Sequence, residues 1–301
     1  MAEAKPSHVE RTAAEPRDKS LHTVTLAEVT QINDQIRLLR LGLSAPLRFL
    51  PGQWLDVYVP GVPKAGGYTI TSPPSKARPS SNSSSPGYVE LAVQKSPDPP
   101  AAWLWQDPES IMYAEVQVRV GGSFVWPPPG VNVRTLRKVV FVAGGVGVNP
   151  LMSMVSSLAE TGDSGVPFEV HFLYSLKDDL ASQGGRHASR LQFVERLASI
   201  FASGKVKGRL QLFLTGGDGE GTGKEEGVLS CGSEGGDVSL RARRMTVDDV
   251  AAAVGGATER RFAVVYVCGV PTMTDDFVQK LTEPQHGLGM EPHRVLCEKW
   301  W

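Results

Sequence analysis

A chain of 301 residues with 41% hydrophobic and 21% charged residues has ordinary globular usage, and at ~100–200 residues per domain it predicts about two domains. Its 31 Lys and Arg against 32 Asp and Glu leave a net charge of −1, so no electrostatic argument calls for a nucleic-acid partner or an anionic membrane surface. No apolar run approaches the ~20 residues of a membrane-spanning helix, and a soluble chain with no membrane span is expected.

The first segment, residues 1–22, mixes Lys5, Arg11, Arg17 and Lys19 with Glu3, Glu10, Glu15 and Asp18. Transit peptides are Arg-rich and acid-poor, so a disordered, solvated tail is expected here. From residue 23 to 130 the signals are those of strands: Thr23–Ile32, Ile36–Leu41, Gln53–Val59, Tyr68–Ser72, Tyr88–Gln94 and Glu115–Val120, parted by Asn33-Asp34, Pro51-Gly52, Pro60-Gly61 and Gly121-Gly122. Short apolar runs between such turn residues predict a small antiparallel six-stranded barrel. Pro99–Gln106 interrupts it as a short helix with proline at its start. Pro73–Gly87, crowded with Ser and Pro, is expected to be a mobile loop.

After Trp126-Pro127-Pro128-Pro129-Gly130 the pattern changes. Lys138–Val142, Phe168–Ser175, Arg209–Thr215, Arg261–Val267 and Arg294–Glu298 read as strands, with helices at Pro150–Glu160, Leu191–Ala202, Thr246–Val254 and Met273–Leu281. This alternation predicts a Rossmann-like α/β domain over 131–301 on a parallel sheet. Glycine supplies 9 of the 22 residues from Gly216 to Asp237, so a disordered insert is expected near 216–240.

Cys231, Cys268 and Cys297 are widely spaced and odd in number, which argues against a disulfide framework and for an intracellular, reducing compartment. There is no CxxC and no HExxH pair, so no metal and no built-in iron–sulfur cluster is assigned.

Four pieces carry chemistry. Gly144-Gly145-Val146-Gly147-Val148-Asn149 follows a buried-type strand and opens a helix, with Asn149 expected as N-cap and Pro150 at the first helical position. Such a turn suits a pyrophosphate, and suits equally a tight structural turn. Cys268-Gly269-Val270-Pro271-Thr272-Met273 again joins a strand to a helix, so both turns belong to the carboxyl edge of one sheet, where ligands bind in open α/β folds. Cys268 is either a crevice residue or a small core thiol. Gly66-Gly67-Tyr68-Thr69-Ile70-Thr71-Ser72 is a hydroxyl-bearing strand, and Glu298-Lys299-Trp300-Trp301 ends the chain with two aromatics able to stack on a planar ligand.

In this order the pieces resemble the ferredoxin–NADP reductase superfamily from about Thr23 to Trp301, the turn Val120–Phe124 included. Gly66–Ser72, Glu90–Trp103, Ala143–Leu151 and Glu298–Trp301 are similar to the oxidoreductase NAD-binding domain-containing protein family. The resemblance implies a flavin-binding barrel followed by a nicotinamide-binding α/β domain. It implies that Tyr68 and Thr69 lie against the flavin ring, with Thr69 bonding near its reactive nitrogen. Ala92, Val93, Gln94 and Lys95 then line the flavin's chain, and Pro100, Ala101 and Ala102 open the helix facing its phosphates. Gly144, Gly145, Val146, Gly147, Val148 and Asn149 correspond to the dinucleotide phosphate turn, and Cys268, Gly269 and Met273 to the turn beside the nicotinamide. Glu298 and Trp300, with Trp301, correspond to the acid and the aromatic cover of the flavin. Catalytic roles fall to Cys268, Glu298 and Thr69.

Two departures concern the flavin's phosphates. Gly66 replaces the family's arginine, a charge-assisted bond worth roughly 1.5–3 kcal/mol, and Pro99–Trp103 lacks the family's Gly-x-x-Ser. Lys64 and Lys95 are the candidate substitutes. The implied cofactors are FAD, with FMN as alternative, and NAD(H), with NADP(H) if Lys177 holds a 2′-phosphate. Electrons then leave to a separate redox protein or a small molecule. A reductase of free flavin and a non-catalytic dinucleotide-binding sensor or assembly module are the alternatives. The family resemblance implies mitochondria, whereas the N-terminal composition leaves the cytoplasm.

Overall fold

The structure is a computed structural model and describes residues 6–78, 86–161, 167–177, 187–216 and 226–300. It divides into two compact units, Met1–Trp126 and Pro127–Trp301.

The first unit holds six strands: β1 (His22–Gln31), β2 (Ile36–Leu43), β3 (Trp54–Tyr58), β4 (Gly66–Thr69), β5 (Tyr88–Gln94) and β6 (Glu115–Gly121). They form one antiparallel sheet in the order β4-β3-β6-β1-β2-β5. The ends of that order meet: Ile70 bridges Leu91, and the Thr71 amide donates to the Glu90 carbonyl at 2.8 Å. The sheet is therefore closed as a barrel, as expected. Strand alternation fills it, with Leu39 and Leu41 of β2, Leu55 and Val57 of β3, and Val116, Val118 and Val120 of β6 all pointing into one core. The proline-started helix Pro99–Leu104 is present, followed by a single turn at Pro108–Ile111.

The N-terminal segment departs from expectation. Residues 6–21 are not a solvated tail but a docked strap. It starts with helical turn α1 (His8–Arg11), where Ser7 and Glu10 form a capping box. Pro16 and Asp18 then exchange backbone bonds with Gly122 and Val120. The reason lies in β3. Asp56 has no exposed surface, and a buried carboxylate needs cations. Arg119 supplies one from the neighbouring strand at 2.7 Å and the strap supplies another, Arg17, at 3.1 Å, with the His8 imidazole also 3.1 Å from the carboxylate. Burial alone would raise the Asp56 carboxyl. Hydrogen bonding from His8 and Arg119 and the charge of Arg17 outweigh it and hold the group below its ordinary range. In the segment expected as a mobile loop, Pro74–Ala77 is a 3-10 turn with Ala77 buried; residues 79–85 lie outside the described residues.

The second unit carries β7 (Lys138–Gly144), β8 (Glu169–Lys177), β9 (Gly208–Thr215), β10 (Glu226–Ser230), β11 (Asp237–Arg241), β12 (Ala263–Gly269) and β13 (Val295–Lys299). Their order is β10-β11-β9-β8-β7-β12-β13, parallel at each pairing except β10 with β11. Val139–Ala143 are wholly buried, as a central parallel strand requires. One sheet face, with Val140, Val142, Val265 and Val267, packs on the helices Val247–Val254 and Pro271–Thr282. On the other, Phe141 meets Phe172 and Tyr266 edge-on at 5.5 and 5.6 Å. The helices Val148–Thr161 and Val194–Ala202 complete the α/β pattern.

The glycine-rich insert is the second departure. Residues 217–225 lie outside the described residues, but 226–241 is a hairpin whose second strand joins β9 in parallel. Leu229, Val238 and Leu240 alternate inward beneath the glycines, and Cys231 is buried, its thiol pushed up by that burial. Asn149 is the third. A 3-10 turn, Gly145–Gly147, precedes the helix, which starts at Val148. Asn149 and Pro150 thus fall inside its first turn, and the Asn149 carbonyl accepts from Gln192 at 2.5 Å instead of capping.

The arginines closing the hairpin grip the next helix. Arg241 and Arg243 reach Asp249 at 2.5 and 2.8 Å, and Thr246 donates to it from backbone and hydroxyl. Burial would raise this carboxyl, but the Arg243 and Thr246 bonds lower it from 3.8 to about 2. A depressed folded-state pKa stabilises above the ordinary value and is lost as pH falls through the folded one. Urea unfolding of the second unit is therefore expected to lose about 2 kcal/mol between pH ~4 and pH ~2. The variant Asp249→Asn should lack that step.

Candidate functional site

In the second unit the two glycine turns lie side by side, because β7 and β12 are paired in register with Ala143 opposite Cys268. Their contact is backbone on backbone. A Cβ at Gly147 would sit 2.1 Å from the Cys268 carbonyl oxygen, and one at Gly144 would sit 2.5 Å from the Met273 sulfur. Gly145 has φ +54° with nothing within 4 Å of its missing side chain. It leaves the crest of the turn bare, as close approach of a phosphate needs. Val148 and Asn149, also expected to bind, are buried under the first helical turn.

The last strand brings the C-terminal residues to the same edge. Glu298 is level with Cys268 and Lys299 with Gly269. The Trp300 amide donates to the Gly269 carbonyl at 3.0 Å, and its indole N–H donates to Glu298 Oε2 at 3.0 Å. Lys299 is tied to Asp275 at 2.6 Å. Cys268 has no exposed surface. Burial pushes its thiol well up, the Glu298 charge adds to this, and only the Trp300 side chain pulls the other way. At neutral pH it is a thiol, not a thiolate nucleophile. Gly144–Gly147, Cys268, Gly269, Met273, Glu298 and Trp300 are thus one cluster at the carboxyl edge of the sheet, while Trp301 lies outside the described residues.

In the barrel unit, Tyr68 and Thr69 end β4. The half-buried Tyr68 ring lies across Gly66, where a Cβ would be 2.6 Å from its Cε2 and Oη. Burial, with the nearby Asp98 charge, pushes its phenol up, so it stays protonated. Thr69 is buried opposite Trp54. On β5, Ala92 and Val93 are buried, while Gln94 and Lys95 are exposed. Pro100 and Ala101 are buried, and Ala102 is exposed.

Sequence reasoning missed two features beside these residues. Glu90 is buried, and Thr71 donates its hydroxyl to the carboxylate at 3.0 Å while the Glu90 amide donates to Ser72 Oγ at 3.0 Å. An acid inside the apolar run Tyr88–Gln94 was the available signal. The other is Trp105, flanked by Arg37 at 4.5 Å and Lys95 at 5.4 Å from its ring centre, for which no local pattern existed. Among the described residues no cluster of metal-ligating side chains occurs, and no helix is long and apolar enough to cross a membrane.

The fold, a six-stranded antiparallel barrel and a mostly parallel α/β unit, is like that of solved ferredoxin–NADP reductases. A ferredoxin NADP+ reductase from Neisseria gonorrhoeae, solved with FAD and NADP bound, matches with TM-score 0.64 at 13% identity, covering 94% of this chain and all of that one. The chain is similar along nearly its whole length to oxidoreductase NAD-binding domain-containing protein 1 of Danio rerio, 29% identical over 300 residues, 98% of this chain and 97% of the relative. A shorter similarity, 26% over 166 residues, links 55% of the chain to 37% of the reductase component of propane 2-monooxygenase from Rhodococcus jostii. No family model matches.

Proposed function

We propose that the chain is an NAD(P)H-dependent flavoprotein oxidoreductase that passes electrons to a separate redox protein. The observation that carries this is the cluster at the carboxyl edge of the α/β sheet: two interlocked glycine turns with Glu298 and Trp300 bonded over the second. Its bare crest at Gly145 fits a dinucleotide phosphate, and the barrel offers Tyr68 and Thr69 to a flavin. When bound, the nicotinamide supplies a hydride and the flavin accepts it and hands electrons on singly or in pairs.

The chain's residues position and seclude. Gly144–Gly147 present backbone N–H groups to the dinucleotide. Cys268, neutral and without exposed surface, is the core thiol of the two options its sequence leaves, and packs under the turns without lining the site. Glu298 is oriented by the Trp300 indole, which fixes a carboxylate at the place where hydride transfer is expected. Tyr68 supplies a protonated aromatic face, and the buried Thr69 after it anchors that end of β4 opposite Trp54. NAD(H) is the proposed donor; NADP(H) would draw on Lys177 at the end of β8. The acceptor reading draws on the Rhodococcus relative, a reductase component of an oxygenase.

One observation favours a second reading, reduction of free flavin. Gly66 offers no side chain and Tyr68 covers it, while Pro100 and Ala101 are buried, and a weak grip on a flavin's phosphates is expected from these residues. An absorption spectrum of the purified protein, before and after anaerobic NADH, separates the readings. A flavin band that bleaches is expected. A colourless protein that reduces added FAD or FMN would transfer the proposal to free flavin, and no reduction of any flavin would overturn both.

A further inference from the structure

The tandem glycines of β4 are each covered by an aromatic ring, Gly66 by Tyr68 of the same strand and Gly67 by His8 of the N-terminal strap. Adjacent strand residues face opposite sides of a sheet, so Tyr68 lies on Gly66 from one side and His8 lies on Gly67 from the other. The His8 seat is tight: a Cβ at Gly67 would be 2.1 Å from its Cε1 and Nδ1. The ring is fixed at two further points. Its Nε2 is 3.1 Å from Asp56 Oδ1, and Asp56 is the register partner of Gly67. Its edge meets Trp54 at 4.7 Å and 86°, and Trp54 is the register partner of Thr69. His8 is itself buried, although it lies in a strap whose composition reads as solvated. One imidazole thus spans the β3–β4 pair on the face opposite the Tyr68 ring.

We infer that His8 is a positioning residue for the flavin site: seated on Gly67 and held by Asp56, it fixes the β4 backbone so that Tyr68 and Thr69 are presented in one geometry. The inference rests on the flavin reading above, and it gives the N-terminal strap a role in cofactor retention. Without the ring, Gly66 and Gly67 have no side chain to brace them, and this start of β4, ahead of the Ile70–Leu91 bridge, has only β3 as a strand partner and is free to shift.

The test uses the full chain with His8→Ala, His8→Phe and Glu15→Gln. Glu15 anchors the strap elsewhere, accepting from Ser123 at 3.0 Å and 2.6 Å, so its variant reports loosening of the strap alone. Two readouts are taken: amide exchange over residues 66–70 in flavin-free protein, and FAD affinity with the visible circular dichroism of bound flavin. His8→Ala is expected to speed exchange over 66–70, weaken FAD by about tenfold and change the flavin's dichroism. His8→Phe, keeping a ring on Gly67, should recover most of the affinity, and Glu15→Gln should leave both readouts near wild type. Unchanged exchange in His8→Ala overturns the inference whatever the flavin does, as does equal FAD loss in His8→Ala and Glu15→Gln. A wild-type protein that binds neither FAD nor FMN, yet shows the exchange effect, overturns the flavin reading and with it the role in retention, leaving His8 as a fold clamp.

Discussion

Alanine at Gly147 is expected to abolish nicotinamide binding, with affinity falling at least about a hundredfold, and to destabilise the second unit by about 3 kcal/mol. The new Cβ would lie 2.1 Å from the Cys268 carbonyl oxygen, 2.4 Å from its carbon and 2.7 Å from the Gly269 nitrogen. All three are backbone atoms of β12, a buried strand paired on both sides. Nothing there can rotate away, so the two turns must part and the crest at Gly145 must move with them. The neighbours give an internal scale. At Gly144 the obstacle is the Met273 thioether, the end of a flexible side chain, and Gly144→Ala should be milder. At Gly145 no atom is near, but φ +54° is costly for alanine, about 1 kcal/mol. Isothermal titration with NADH and NADPH, beside urea unfolding, should rank Gly147→Ala well above the other two. Retention of nicotinamide affinity by a folded Gly147→Ala protein would remove the phosphate-turn assignment.

What the sequence made legible follows the range of the interactions involved. The run Lys138–Val142 and the alternation in β2 and β6 are local records of burial, so the central parallel strand and the barrel walls were readable from neighbours in the chain. So were the two strand-to-helix turns, because glycine and proline act where they stand. The hairpin at 226–241 was hidden by composition: Leu229, Val238 and Leu240 keep a strand's alternation, but the glycines around them dominate any average. Asn149 was misplaced as a cap because a 3-10 turn after Gly144 starts the helix earlier than the Asn-Pro signal indicates. The strap was unreadable for a different reason. Arg17 and Asp56 are 39 residues apart and Arg119 is 63 beyond Asp56, so no window of sequence contains the network. Each charge seen alone looked like a solvated surface residue.

That network is where a single substitution should cost the barrel unit most. Asp56→Ala is expected to lower its stability by about 3–5 kcal/mol, the range for removing one partner of a buried ion pair. Asp56 accepts from Arg17 Nε at 3.1 Å and from Arg119 at 2.9 and 2.7 Å, with His8 at 3.1 Å. Without the carboxylate, two guanidinium groups and an imidazole face one another across a site from which water is largely excluded. Arg17 also stacks on Trp54 at 4.9 Å and bonds Thr12, so the strap should lift as a unit. Proteolysis at Arg11 and Arg17 would report that release, and urea unfolding the loss of stability. The acid dependence gives an independent check. The Asp56 carboxyl is held below its ordinary value, so its stabilisation is present above the ordinary carboxylate range and declines as pH falls below it. The wild-type protein should lose barrel stability on that descent, whereas Asp56→Ala, having no carboxylate to protonate, should start low and fall less. Equal slopes in the two proteins would mean that the strap is held by packing on Gly67 and Trp54 and not by charge.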